Sequence, residues 1–282
     1  DLDLSSFTIP KVTDLNYMFQ YCDKLISLDL SKFTGESLTQ MSFIFSESKN
    51  LKKVDLSGLK ANKLLYMNYA FRNCHSLEEV KLNNPNLESI LGIEGLFQNC
   101  YNLKAFNSNL GNTPNLRIMR NMFLNCSSIT SINLESLDTS SVSQMSSVFQ
   151  NCYNLEELKM NFNTEEVVNI DRLFDNCQNI KELSLSNFNT KNVINMSYMF
   201  NNCSSLTSLN VDSFNTINVQ EMNNMFYGCS SLKYLDISSF NTNNCKKYDS
   251  IFEECYNLTL KIDQEKCANI YKILPKYIII SE

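Results

Sequence analysis

Apolar residues recur along this chain with a period of about 26 residues. A phenylalanine marks each unit, and successive phenylalanines lie 26 residues apart except for one step of 25; they are Phe19, Phe45, Phe71, Phe97, Phe123, Phe149, Phe174, Phe200, Phe226 and Phe252. A repeat of this length is typical of a stacked solenoid, in which each unit buries its apolar side against its neighbours. The pattern therefore predicts one elongated domain over residues 1–262.

Each unit combines two spacings of apolar residues. In the first half they are three apart, as in Val193, Met196 and Met199, which suits one or two turns of α or 3₁₀ helix with a single buried side. In the second half the spacing changes to two, as in Leu209 and Val211, which indicates a short strand. Equivalent strands of successive coils are then expected to pair in parallel, about 4.8 Å apart.

A longer motif keeps the same register through most of the units. It reads Met-Phe-x-Asn-Cys-x-x-Leu-x-x-Leu-x-Leu, followed by Phe-Asn-Thr-x-x-Val-x-x-Met. Its Asn-Cys pair recurs at Asn73-Cys74, Asn99-Cys100, Asn125-Cys126, Asn151-Cys152, Asn176-Cys177 and Asn202-Cys203. Over residues 2–262 the chain resembles the BspA-like leucine-rich-repeat surface proteins.

The spacing and the resemblance together predict an α/β solenoid. We expect a right-handed, leucine-rich-repeat-like stack of about ten coils of 26 residues, each with a short parallel strand and a short helix or 3₁₀ turn. The resemblance also implies a location at the cell surface or outside the cell, and a role in adhesion. No signal peptide or lipidation motif is visible in the sequence.

The two ends of the chain depart from the regular unit. Residues 1–8 match the second half of a unit, as in 209–216, so we expect the chain to begin inside a repeat. Residues 263–282 are predicted to form a C-terminal cap, because a terminal coil exposes one apolar side. Within the cap, Cys267–Leu274 reads as a helix and Tyr277–Ile280 as a strand.

Composition and charge exclude several classes of partner. The net charge is −6 and no stretch collects lysine or arginine, so the electrostatic footprint of a nucleic-acid or anionic-lipid binder is missing. No run of 18 apolar residues occurs, so no transmembrane segment is expected. We predict a protein or other macromolecular surface ligand as the partner, and a monomeric state.

Eleven cysteines raise the question of disulfides and metal sites. Nine follow a repeat phenylalanine by three residues, and Ser48 holds that position in the second unit. A buried free thiol that donates a weak hydrogen bond fits both residue types, because a hydroxyl can donate but cannot bridge. A disulfide along the ladder is the alternative. Cys245 and Cys267 lie outside the ladder and either belong to the core or pair with each other.

No catalytic, cofactor or metal motif is present. The sequence contains no C-x-x-C, G-x-S-x-G, Walker loop, dinucleotide fingerprint or H-E-x-x-H. The one histidine, His75, follows Cys74 at a turn position. Adjacent acids such as Glu78-Glu79 are typical of solvated strand edges rather than of an acid–base pair. We therefore predict neither enzyme activity nor a cofactor.

The outward residues of the strands form the most extended surface that a partner could use. They are small, polar and of mixed charge over most of the coils, so a merely solvated sheet face is an equal alternative. The predicted partner-binding residues cluster at an acidic, tyrosine-bearing end; they are Ser208, Asn210, Asp212, Tyr234 and Asp236. The tyrosines of the turn column are two or more coils apart and form no platform; they are Tyr101, Tyr153 and Tyr256.

Two functions remain open at this point. The first is a non-catalytic, surface-displayed repeat module that binds a protein, or mediates adhesion, through the polar strand face. The second is a structural spacer that presents another domain, because ten coils at about 4.8 Å give a rod of about 50 Å.

Overall fold

A computed structural model describes residues 11–82 and 85–281 of the chain. Among these residues ten short strands recur once per coil, and one helix precedes an eleventh strand. The elements are β1 Ser27–Asp29, β2 Lys53–Asp55, β3 Glu79–Lys81, β4 Ala105–Phe106, β5 Ser131–Asn133, β6 Glu157–Lys159, β7 Glu182–Leu183, β8 Ser208–Leu209, β9 Tyr234–Asp236, β10 Thr259–Lys261, α1 Ala268–Lys272 and β11 Ile279–Ser281.

The strands pair in parallel with the register that the repeat predicts. Leu28 lies opposite Val54, and Val54 lies opposite Val80, at the 26-residue step of the phenylalanines. Pairing is interrupted after β3, β6 and β8, so the described strands form four short sheets, which are β1-β2-β3, β4-β5-β6, β7-β8 and β9-β10-β11. The predicted parallel stacking is confirmed, and the chain is a leucine-rich-repeat solenoid.

The repeat phenylalanines form one continuous stack through the core. Neighbouring ring centroids lie 5.2 to 6.1 Å apart, with nearly parallel planes. All ten rings are buried. Offset stacking at this distance is favourable beyond the burial of apolar area, so each coil is held chiefly by the coils above and below it.

The short helix or 3₁₀ turn predicted in each coil is not confirmed, because the described coils contain no helix. Its place is taken by a run of turns, in which Tyr198 has φ 61° and Asn202 has φ 54°. The amide of Met196 donates to the carbonyl of Glu221 at 2.9 Å, and the amide of Phe200 donates to the carbonyl of Met225 at 2.9 Å. These hydrogen bonds join one coil to the next instead of closing a helix, so the class is a β-solenoid rather than α/β.

The physical reason lies in where the backbone hydrogen bonds go. Val193, Met196, Met199, Phe200 and Cys203 are all buried, which is also the pattern of a helix with one buried face. A helix of about two turns is marginal, because its nucleus is costly. The run of turns instead bonds to both neighbouring coils, and asparagine tolerates the positive φ that this geometry requires.

The stack has about nine turns rather than the predicted ten. A second ladder of parallel bridges runs along the turn side, from Asp14 to Lys247. Nine bridges join ten equivalent positions in this ladder. Ten rungs enclose nine complete turns, which accounts for the difference. The right-handed winding stays a prediction.

The C-terminal segment continues the strand ladder. Helix α1 falls inside the predicted helix Cys267–Leu274, and β11 overlaps the predicted strand Tyr277–Ile280. Leu260 of β10 lies opposite Ile280, so β11 pairs in parallel with the last regular strand. The boundary at residue 262 and the capping role stay predictions; the half-repeat at residues 1–8 and the final residue lie outside the described residues.

Candidate interaction site

The coil of Phe149 lacks one residue, and this deletion can be placed. In the neighbouring coils the chain turns after the strand: the amide of Leu137 donates to the carbonyl of Leu134 at 3.0 Å, and the amide of Phe188 to that of Leu185 at 2.9 Å. The equivalent pair, Met160 and Phe162, is two residues apart instead of three. Segment 160–163, which the structure describes in full, has no turn. The 25-residue step therefore removes the turn that follows β6.

The sheet is open on both sides of β7 and β8. Among the described strands these two pair only with each other. The interruption after β6 coincides with the deletion, while nothing in the spacing accounts for the interruption after β8. Leu158 and Leu183, the inward residues of β6 and β7, are only half-buried. The equivalent Leu28 and Ile132 are 3% and 1% exposed, so the irregular coils leave apolar surface uncovered.

A groove of about 940 Å³ lies over these irregular coils. We call it the strand-face groove; it is lined by Leu158, residues 182–186, 207–210, 212, 213, Lys233 and Tyr234. A second depression of about 260 Å³ shares Ser184 and Ser186 with it, and extends to Glu135 and to residues 160–162. The deletion therefore lies in the lining of a depression that adjoins the groove.

Four of the five predicted binding residues lie together in this groove. Ser208, Asn210, Asp212 and Tyr234 line it, and Tyr234 is 49% exposed. The side-chain amide oxygen of Asn210 accepts a hydrogen bond of 2.8 Å from the backbone amide of Asp212, which fixes the turn between them. That these residues bind a partner stays a prediction.

The fifth predicted residue, Asp236, does not line the groove. Its carboxylate accepts hydrogen bonds from the amide and hydroxyl of Ser238, at 2.9 and 2.6 Å, and pairs with the ammonium of Lys261 at 3.3 Å. Burial opposes its ionisation, but the hydrogen bonds from Ser238 and the charge of Lys261 outweigh that effect and lower the pKa of Asp236. Its charge is therefore already satisfied within the protein.

The sequence analysis missed the apolar floor of the groove and part of its rim. Leu158 and Leu183 follow the strand pattern and were expected to be buried. Glu182 and Lys233 lie at the rim, where they are indistinguishable by sequence from other outward residues. The one signal that could have located the groove is the 25-residue step between Phe149 and Phe174.

The charged side chains of the strand face differ in pairing between the N-terminal coils and the groove. In the N-terminal coils they neutralise one another, since Lys53 pairs with Glu79 at 3.6 Å and Lys81 pairs with Asp55 at 3.5 Å. Around the groove, within the described part of the chain, Glu182, Asp212 and Lys233 form no ion pair. Because their charges are not compensated internally, a partner could compensate them.

The ten buried cysteines provide no nucleophile. All eleven are free, and burial raises the pKa of Cys245 and of Cys267 to about 11. The thiol of Cys245 donates to the carbonyl of Lys247 at 3.4 Å, and that of Cys267 to the carbonyl of Phe240 at 3.4 Å. A neutral, buried thiol is unreactive, because the thiolate is the nucleophilic form. Both residues therefore act as core residues and do not pair.

Other candidate chemistry is equally sparse. The imidazole of His75 packs beside the ring of Tyr101, with centroids 4.9 Å apart, as expected of a turn residue. In the described ranges no group of His, Cys, Asp and Glu side chains is arranged to hold a metal ion. Nor do these ranges contain a helix with the length and apolarity needed to cross a membrane.

Comparison with known proteins gives one family and several distant likenesses. Residues 1–113, 65–183, 117–231 and 168–274 each match the family model described as "Mycoplasma protein of unknown function, DUF285". No curated protein matches the chain.

Three solved structures illustrate the distant likenesses. A leucine-rich repeat protein from Bacteroides ovatus is 17% identical, with 97% of this chain and 91% of that one covered and a TM-score of 0.39. A leucine-rich cell surface protein from Faecalibacterium prausnitzii is 18% identical, with 91% and 86% covered and a TM-score of 0.33. An internalin from Listeria monocytogenes is 16% identical, with 86% and 87% covered and a TM-score of 0.22. None of these likenesses supports an inference about function.

Proposed function

Since this chain belongs to the family described as Mycoplasma protein of unknown function, DUF285, we propose its function from the geometry of its own surface. The protein is a non-catalytic repeat module that binds a macromolecular partner, in the first place another protein, through the strand-face groove. The observation that carries this proposal is the one-residue deletion after β6, beside which Leu158 and Leu183 are left half-buried.

The composition of the groove suits a protein partner. Half-buried leucines and the exposed ring of Tyr234 supply the apolar and aromatic contacts that are enriched at the centre of protein interfaces. Uncompensated charges at Glu182, Asp212 and Lys233 supply a polar rim. The net charge of −6 disfavours nucleic acid as the partner.

Three further features belong to the proposal on the strength of the sequence alone. We propose display at the cell surface or secretion, together with a role in adhesion, because the repeat resembles that of BspA-like surface proteins. We propose a monomeric solenoid, since the strand face offers no extended apolar surface for self-association. Residues 263–282 are proposed as a cap on the last coil.

A structural spacer is the second candidate. Its support is the regularity of the stack, in which the phenylalanine stacking and the turn-side ladder of parallel bridges continue from coil to coil. About nine turns at about 4.8 Å each give a rod of about 45 Å. A spacer needs only this length. The spacer hypothesis therefore predicts that substituting a surface residue changes no binding affinity.

Two serines at the first position of a strand allow a matched test. Ser208 lies in the groove, whereas Ser131 occupies the same position in β5, outside it. We expect the purified chain to bind cultured cells or immobilised extracellular proteins saturably. Ser208→Arg should weaken this binding at least tenfold, and Ser131→Arg should leave it unchanged.

The outcomes separate the two candidates. An equal loss of affinity in Ser208→Arg and Ser131→Arg would place the contact outside the groove and contradict the proposed site. Absence of saturable binding by the parent would leave the spacer as the function. Circular dichroism of both variants controls for folding.

A further inference from the structure

The floor of the strand-face groove is apolar and belongs to three successive strands. Leu158 and Leu183 are half-buried, and Leu209 is 9% exposed. These are the inward positions of β6, β7 and β8. The ring of Tyr234 stands on the far side. One apolar side chain of a partner could pack on these leucines and against the ring of Tyr234.

The groove and the depression that adjoins it are lined mainly by acidic charged residues. The groove and the adjoining depression are lined by the acids Glu135, Glu182 and Asp212, and by a single basic residue, Lys233. Three negative charges against one positive charge leave an excess of two negative charges. Because none of these four residues forms an ion pair within the described part of the chain, a positively charged side chain is the complementary partner.

Backbone groups are also available where the sheet is interrupted. In regular coils the amide of the residue before a strand donates across the ladder, as when the amide of Thr207 donates to the carbonyl of Lys181 at 3.0 Å. In the described structure no such bond joins the amide of Lys233 to the carbonyl of Thr207, since β8 and β9 do not pair. Both groups lie at residues that line the groove, so they can bond to the backbone of an extended chain.

The length of the groove limits the occupant to a short segment. From β6 to β9 the groove crosses three coil steps, on the order of 14 Å at about 4.8 Å per step. An extended peptide covers this distance with about four residues. A folded domain would have to contact the groove through a protruding loop or tail of that length.

We infer that the occupant of the strand-face groove is an extended peptide segment of a protein partner, in which an aliphatic or aromatic side chain lies next to a lysine or arginine. The apolar side chain packs over Leu183 and against Tyr234. The basic side chain pairs with Glu182 or Asp212. This inference rests on the proposed function, because it names the partner of the same site.

A random peptide library tests the inference while the natural partner is still unidentified. Random heptapeptides displayed on phage are selected against the immobilised full chain, and selected sequences are resynthesised for affinity measurement. We expect enrichment of an apolar residue next to lysine or arginine. Replacing the basic residue by glutamate should weaken binding at least tenfold.

Charge reversal on the protein provides the matched comparison. Glu182→Lys combined with Asp212→Lys should weaken the selected peptides at least tenfold and shift selection towards acidic sequences. Glu78→Lys, which reverses the charge of an acid outside the groove, should change neither the peptide affinity nor the sequences selected. Leu183→Asp should abolish binding while circular dichroism remains that of the parent.

Each outcome decides the inference. Selected peptides without an apolar–basic pair, or peptides whose affinity is unaffected by the Glu182 and Asp212 reversal, would overturn it. Failure to select any peptide, while Ser208→Arg still weakens binding to cells or extracellular proteins, would overturn the peptide inference and leave the proposed function intact. If no peptide is selected and Ser208→Arg does not weaken binding, both the peptide inference and the proposed function are overturned.

Discussion

The thiol of Cys126 donates a hydrogen bond of 3.1 Å to the carbonyl oxygen of Phe97, 29 residues earlier in the chain. The same carbonyl accepts the amide of Cys100 at 3.0 Å. The eight ladder thiols from Cys74 to Cys255 thus each join their own coil to the preceding one. Ser48 makes the equivalent contact, since its hydroxyl donates to the carbonyl of Phe19 at 2.7 Å. The prediction that a hydroxyl can replace the thiol here is therefore confirmed.

Serine should be tolerated in the thiol ladder better than alanine. We expect Cys126→Ser to keep the hydrogen bond to Phe97, and to lie within about 1 kcal/mol of the parent in free energy of unfolding. Cys126→Ala loses the donor and leaves a small cavity, so a loss of roughly 1–2 kcal/mol is expected. Urea denaturation measures both. A serine variant less stable than the alanine variant would contradict the role given to the hydrogen bond.

The cysteines should differ in reactivity according to their burial. Cys22 is half-buried, whereas the other ten are buried, and burial raises the pKa of Cys255 to about 12. We expect iodoacetamide at pH 8 to modify Cys22 first and the others only after unfolding, because the thiolate is the reactive form. Mass spectrometry of native and denatured samples identifies the modified positions. Native labelling of the ladder at the rate of Cys22 would show that the stack is open.

Removing one ring from the phenylalanine stack should be costly. Phe200 is fully buried and lies 5.7 and 5.5 Å from the rings of Phe174 and Phe226. We expect Phe200→Ala to lower the free energy of unfolding by about 3–5 kcal/mol. The control is Tyr234→Ala, at an exposed position, where a change of about 0.5 kcal/mol or less is expected. A similar cost in both variants would mean that the stack does not hold the coils together.

Asparagine holds a position in the turns that few residues can occupy at low cost. Asn125 has φ 63°, donates its side-chain amide to Asn99 at 2.7 Å and accepts that of Asn151 at 2.7 Å. Gly228 occupies the same column with φ 68°. Asn125→Gly loses the side-chain ladder alone, whereas Asn125→Ala also introduces a left-handed strain of roughly 1–2 kcal/mol.

The glycine and alanine variants of Asn125 should therefore differ in free energy of unfolding by roughly 1–2 kcal/mol. Thermal or urea unfolding of both proteins gives the comparison, and the glycine variant should be the more stable. Equal stability of the two variants would show that the positive φ is not a constraint on this column.

One buried acid gives the stability a pH dependence of defined sign. The carboxylate of Asp175 accepts hydrogen bonds from Gln150 at 2.8 Å and Asn201 at 2.7 Å. Burial raises its pKa, although both hydrogen bonds and the charge of Arg172 oppose the shift. A raised pKa in the folded state favours folding at a pH below the unfolded pKa of about 3.9. That contribution is lost as the pH rises through the folded pKa.

Asp175→Asn removes this dependence. We expect the stability of the variant relative to the parent to increase from about pH 3 to about pH 7. Urea midpoints of both proteins across this range measure the difference, in which the other titrating groups cancel. A difference that stays constant, or that falls as the pH rises, would contradict the burial of this carboxylate.

Much of the fold could be predicted from the sequence because the repeat is strict. The phenylalanine period gave the register of the stack, and the Leu209 and Val211 spacing gave the strands. The turn segment could not be predicted in the same way. The spacing of Met196, Met199 and Phe200 is compatible with a helix and with a run of turns, and the choice depends on hydrogen bonds to neighbouring coils.

The candidate site could be predicted only in part. Ser208, Asn210, Asp212 and Tyr234 were found from the strand register, since outward residues follow from alternation. Asp236 follows the same rule, but its pairing with Lys261 depends on the next coil. The partial burial of Leu158 and Leu183 depends on the loss of one turn, and a local pattern of apolar residues does not report it.

Restoring the missing residue tests most directly whether the deletion creates the binding site. One serine inserted between Asn161 and Phe162 gives this coil the three-residue spacing of Leu134–Leu137 and Leu185–Phe188. The measurement is the affinity of the inserted protein for a heptapeptide or extracellular protein that the parent binds. We predict that β6 and β7 then pair, that Leu158 and Leu183 become buried, and that affinity falls at least tenfold without loss of stability. Unchanged affinity in a folded insertion variant would contradict the account.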